Sequence, residues 1–94
     1  MTAPSIPVTI PPALRELVGG QREVVARGAT VRELLASLER EWPQVHVRLC
    51  DEQGDPRPHI NVFVNLDHVR SLKGLDTPLR AGDAVAILPA VSGG

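Results

Sequence analysis

The residues best placed to do chemistry lie at the end of the chain. There Asp83-Ala84-Val85-Ala86-Ile87-Leu88-Pro89-Ala90-Val91-Ser92-Gly93-Gly94 runs a strand pattern into a proline and then into two glycines. Five residues beyond Pro89 reach at most roughly 17 Å when extended, and the last two have no side chain to obstruct a narrow channel. The α-carboxylate of Gly94 is thereby carried on a thin, deliverable arm, and Pro89, Ala90, Val91, Ser92 and Gly93 are what a partner would grip. Residues 90–94 are expected to be a flexible tail on a domain spanning 1–89. Elsewhere, His46, His59, His68 and Cys50 are the soft or borderline metal ligands. None shows the short paired spacing of a zinc site, so no metal is expected. Cys50 stands beside Asp51 and Glu52, which do not lower a thiol pKa, so a partly buried, inert thiol is expected. No Gly-Lys-Ser/Thr follows the paired glycines at 19–20 or 93–94, so there is no phosphate loop. A nucleotide, where one is used, belongs to a partner.

The elements that must position this arm come from one modest domain. A chain of 94 residues buries somewhat more than about 60% of its unfolded surface. Its core must be aliphatic, because Trp42 and Phe63 are the only aromatic residues. With Lys+Arg 10 against Asp+Glu 11, there is no excess of basic charge to neutralise phosphates, and nucleic acid is not an implied partner. Lys73 is the sole lysine, so the chain is poorly supplied with amines for isopeptide bonds. One cysteine permits no intrachain disulfide and fits a reducing, cytoplasmic setting. The first residues lack the basic and apolar regions of a signal peptide, and no apolar run approaches the twenty or so residues of a membrane span.

Ile6, Val8 and Ile10 alternate with Ser5, Pro7 and Thr9 as a first strand. Pro7 must then occupy a non-donating position at the end of a ladder, or pairing must begin after it. Leu14, Leu17 and Val18 follow at helical spacing and stop at Gly19-Gly20. Gln21 to Arg27 reads as a second short strand. Thr30-Val31-Arg32-Glu33 has the residues of a capping box. Beyond it Val31, Leu34, Leu35, Leu38 and Trp42 make one apolar helical stripe, closed by Pro43; Val45 and Leu49 suggest a further turn. After a polar loop at 51–58, Ile60 to Asn65 is a third strand. A short strand is expected around Val69, Leu75 and Leu79 anchor an irregular crossing, and the last strand ends at Pro89, which has no N–H to continue the ladder.

The apolar helix stripe has no partner except the inward face of the sheet, which implies two layers around one core. Strand parity then assigns faces. If Val62, Val64, Val85 and Ile87 pack under the helix, Phe63, Ala86 and Leu88 project from the opposite face. An apolar patch close to the tail is expected to be a docking surface.

The order strand, strand, capped helix, strand, short strand, last strand is that of ubiquitin. The matching pieces are Leu14-Arg15-Glu16-Leu17-Val18-Gly19, Thr30-Val31-Arg32-Glu33-Leu34-Leu35, Val64-Asn65, and Leu79-Arg80-Ala81-Gly82-Asp83-Ala84-Val85 leading to Pro89 and Gly93-Gly94. With these pieces the chain resembles the ubiquitin-like sulfur carriers of the ThiS/MoaD family over nearly its whole length. The resemblance implies an α+β β-grasp fold, with a mixed four- to five-stranded sheet packed on one main helix. Gly19-Gly20-Gln21, Val62-Phe63-Val64-Asn65 with Val69-Arg70, and the final run from Ile87 are most similar to the cysteine-biosynthesis branch of the family.

That resemblance implies a mechanism in which the chain is a cosubstrate and no enzyme. An E1-like adenylating enzyme would spend ATP to convert the Gly94 carboxylate, a poor electrophile, into an acyl-adenylate. A sulfur donor would displace AMP and leave a thiocarboxylate. In the cysteine branch the sulfur would attack activated serine on a pyridoxal-phosphate (PLP) synthase, and a metal-dependent peptidase would release cysteine. The carrier itself would bind no cofactor. The alternatives are the small subunit of molybdopterin synthase, a sulfur donor for thiamine or secondary metabolism, a ubiquitin-like modifier joined to lysines, and a noncovalent binding domain whose glycines are incidental.

Overall fold

The computed structural model describes residues 3–90. β1 (Ser5–Thr9) and β2 (Glu23–Arg27) pair antiparallel, joined through a 3-10 helix at Pro12–Val18. The chain crosses by α1 (Val31–Glu41) and α2 (Pro43–Leu49) to β3 (Ile60–Val64). A tight turn leads into β4 (Asp67–His68), and two further 3-10 turns, Val69–Ser71 and Gly74–Asp76, precede β5 (Val85–Pro89). The sheet order is β2-β1-β5-β3-β4, with β1 and β5 parallel and every other neighbour antiparallel. The last strand is thus slotted into the middle of the sheet.

Burial follows strand parity. Ile6, Val8, Val24, Ala26, Val62, Val64, Val85 and Ile87 face inward against Val31, Leu34, Leu35 and Leu38 of α1 and Val45 and Leu49 of α2. Each such Val, Ile or Leu side chain contributes about 1.5–3 kcal/mol by leaving water. The expected stripe on α1 is therefore the core itself, with Trp42 only partly buried at its end. Thr30 caps α1 by accepting from the Glu33 N–H at 3.2 Å, while Glu33 Oε1 accepts from the Ala29 N–H at 3.3 Å, one residue before the usual partner in a capping box.

Both awkward prolines lie on the β1–β5 seam. The bonds Gly28 N–H to Pro4 O and Ile10 N–H to Arg22 O turn the even-numbered backbone groups of β1 toward β2. Pro7 therefore turns its nitrogen toward β5, whose pairing with β1 starts only at Val8–Val85. By the same alternation, the bond from Ala90 N–H to His59 O at 2.6 Å turns Pro89 toward β1, beyond the point where β1 has ended. Neither ring removes a bond that the sheet uses.

Three local expectations are corrected. Pro89 does not stop the ladder: it pairs with Ile60, and Ala90 adds one more bond to β3 because its own N–H is intact. The short strand lies at Asp67–His68 and not around Val69, which is buried and opens a 3-10 turn. The two-residue turn at Asn65 and Leu66 brings the chain back earlier than apolar spacing suggested, because Asn65 takes a left-handed φ of 56° that few other side chains tolerate. Finally, the further turn after Pro43 is a second helix of seven residues.

Candidate functional site

The outer face of the sheet is assembled by cross-strand neighbours. Phe63 stands between Ala86 of β5 and His68 of β4, while Asn61 faces Leu88. Ala86 is also the neighbour of Thr9 on β1. Phe63, Ala86 and Leu88 therefore form one apolar group on the face opposite the helices, with Leu88 36% exposed. Phe63 is half-buried because the His68 ring meets it edge-on, with centroids 5.1 Å apart and planes at 69°.

His68 is held in one tautomer. Its Nδ1 accepts from the Arg70 N–H at 3.0 Å, so the ring proton is on Nε2, where it donates to Asn61 Oδ1 at 3.0 Å. His68 and Asn61 thus lie beside the expected docking residues, whereas from the sequence His68 is weighed only as a metal ligand. The two-residue turn after Val64 is what places His68 opposite Phe63.

The strand carrying the tail is clamped at its start. Asn65 N–H donates to Ala84 O at 2.7 Å, Ala84 N–H donates to Asn65 Oδ1 at 3.1 Å, and Asn65 Nδ2 donates to Asp83 Oδ1 at 3.1 Å. Asp83 Oδ2 accepts from the Arg80 N–H at 2.9 Å. This backbone bond first, and Asn65 second, hold the Asp83 carboxyl below its ordinary pKa. At the other end, Pro89 and Ala90 are exposed. Pro11, Leu14, Leu49, Ile60 and Pro89 line a cleft there, with Arg48 and His59. Val91, Ser92, Gly93 and Gly94, the remaining expected tail residues, lie outside the described residues.

Cys50 is the free thiol of the chain, and it is buried. It is 2% exposed, and its thiol is pushed up to about 11, by burial first and then by the negative charge of Asp51. Because the folded state holds the proton more tightly than the unfolded chain, the contribution is complete below about pH 9 and is lost as pH rises through about 11. The sequence has no tyrosine and one lysine, so little else titrates in that window. Unfolding by urea should show a loss of about 2 kcal/mol between those pH values, and Cys50→Ala should flatten that limb. An equal alkaline loss in the variant would refute the assignment. Among the described residues, no group of three His, Cys, Asp or Glu side chains could hold a metal ion, and no helix is long and apolar enough to cross a membrane.

A five-stranded mixed sheet with its last strand central and helices across one face defines a ubiquitin-like β-grasp protein. The ThiS family model matches residues 8–94, and the chain belongs to the ThiS family. It is 39% identical over 92 residues to the sulfur carrier protein CysO of Mycobacterium tuberculosis strain H37Rv, covering 96% of this chain and 99% of that one. It is 43% identical over 83 residues to small archaeal modifier protein 3 of Haloferax volcanii, covering 85% and 88%. Among solved structures, the BexX/CysO complex of Amycolatopsis orientalis contains a chain that superposes with a TM-score of 0.83 at 40% identity, over 95% of this chain and 99% of that one.

Proposed function

We propose that this chain is a sulfur carrier. An E1-like enzyme adenylates the Gly94 carboxylate with ATP, releasing pyrophosphate; a sulfur donor then displaces AMP, leaving a thiocarboxylate. The sulfur is delivered to a PLP-dependent synthase for cysteine biosynthesis, where a metal-dependent peptidase frees the product. The observation that carries this reading is 39% sequence identity, over 96% of the chain, to a sulfur carrier, on a fold whose last strand is central in the sheet. The carrier contributes no acid, base or cofactor and acts in the cytoplasm as a protein cosubstrate; with Ala90 held to His59 by the sheet, the delivered arm is residues 91–94 and not 90–94.

Incubation with the adenylating enzyme, ATP and a sulfide source, followed by intact mass measurement, tests this. Exchange of one oxygen for sulfur on the C-terminal peptide supports the carrier role. The likeness to an archaeal modifier favours a second reading, conjugation to lysines. An isopeptide ladder without thiocarboxylate would establish that instead.

Phe63, Ala86 and Leu88 are the surface by which the adenylating enzyme holds the carrier. Phe63→Asp and Leu88→Asp should each weaken that binding at least about tenfold, equivalent to roughly 1.4 kcal/mol. Neither reaches the core, so melting temperatures should stay close to the parent. Unchanged affinity for both variants, measured by calorimetry, would move the interface elsewhere.

A further inference from the structure

The sheet has two edges, and they are unlike. β4 is two residues long and offers almost no ladder. β2 presents five residues, Glu23-Val24-Val25-Ala26-Arg27. Its even-numbered backbone groups face β1, as the Gly28–Pro4 and Ile10–Arg22 bonds require, so the N–H and C=O of Glu23, Val25 and Arg27 point away from the sheet. Among the described residues, one bond meets this edge, from Ser37 Oγ to Arg27 O at 2.6 Å. Val25 is 59% exposed. An open edge of this kind is a template for another strand.

We infer that this edge pairs with a second copy of the chain, β2 against β2 in antiparallel register about Val25. The strand is self-complementary in that register. Val25 faces its own counterpart, and Glu23 of each copy faces Arg27 of the other, so both charge pairs across the junction are attractive. A slip of two residues would set Glu23 against Val25 and forfeit both. Outward-facing Val25 exchanges two backbone bonds with its counterpart, and each Arg27 N–H donates to the partner's Glu23 carbonyl, while Ser37 continues to occupy Arg27 O. The result is a continuous ten-stranded sheet. Across it the two β5 strands lie roughly 24 Å apart, at about 4.8 Å per strand, and run in opposite directions. The two β5 strands therefore end on opposite sides of the joined sheet, so each end remains open to a partner.

The pairing is small in area and belongs to the weak, concentration-dependent class. Sedimentation of the full chain from about 10 μM to about 1 mM, a range whose upper end corresponds to roughly −4 kcal/mol, should show a monomer–dimer equilibrium that weakens with salt. Glu23→Arg should weaken it at least about tenfold. Arg27→Glu should do the same, and the double exchange E23R/R27E should restore it to within about threefold, roughly 0.6 kcal/mol. Hydrogen exchange at the Val25 amide should slow with concentration in the parent and not in the single variants. A parent that stays monomeric to about 1 mM, single variants that dimerise as well as the parent, or a double exchange that fails to rescue would each overturn the proposal. Melting curves on every variant exclude loss of fold, since both positions are exposed.

Discussion

Gly28→Ala should destabilise the domain by about 3 kcal/mol, near the upper end of the usual cost of overpacking. A methyl group there would meet the backbone nitrogen of Leu34 at less than contact distance and its Cα at 2.7 Å. Neither atom belongs to a flexible side chain, so the whole first turn of α1 would have to move. That turn is fixed on three sides. Thr30 caps it, Val31 N–H donates to Thr77 O, and Leu79 N–H donates to Ala29 O. Gly28 cannot retreat either, because its own N–H donates to Pro4 O at 3.3 Å. For a domain of this size, whose total stability is of order 5–10 kcal/mol, the change should lower the melting temperature by well over 10 °C. A melting temperature within a few degrees of the parent would show that α1 does not rest on this glycine.

Adding a single residue after Gly94 should abolish thiocarboxylate formation, and deleting Gly94 should do the same, while thermal unfolding stays unchanged. The proposed reaction needs an unhindered α-carboxylate at the end of the arm, and extension replaces it with an amide that cannot be adenylated. Folding is expected to be indifferent, because the core is closed by Ile87 and, among the described residues, the last sheet bond is made by Ala90. Intact mass after incubation with the adenylating enzyme reads the first effect, and a melting curve reads the second. Thiolation of the extended chain at the parent's rate would end the tail hypothesis.

The fold was legible where pattern and punctuation agreed. Thr30, the stripe from Val31 to Leu38 and Pro43 together dictate one capped amphipathic helix, and the alternation at Ile60–Val64 and Val85–Leu88 assigns the two sheet faces. Prolines were harder, because their tolerance depends on which neighbour a backbone nitrogen faces, and that is a property of sheet order. Pro7 and Pro89 are permitted only because β1 and β5 overlap so briefly. His68 escaped notice as a support for Phe63 because its role depends on the left-handed turn at Asn65. Gly28 escaped because its reason is a close approach between backbones that no residue pattern announces.

The prolines at the two ends of the β1–β5 seam leave those strands joined through two register pairs, whereas β3 and β5 share five. Tension applied through the chain beyond Ala90 acts along the axis of β5, and the bonds to β3 lie across that axis. They would be loaded together in shear instead of opening one after another. The Asn65 clamp on Ala84 and Asp83 anchors the far end of the same strand. A partner can therefore draw the arm taut into a deep channel and still be holding a folded protein by it.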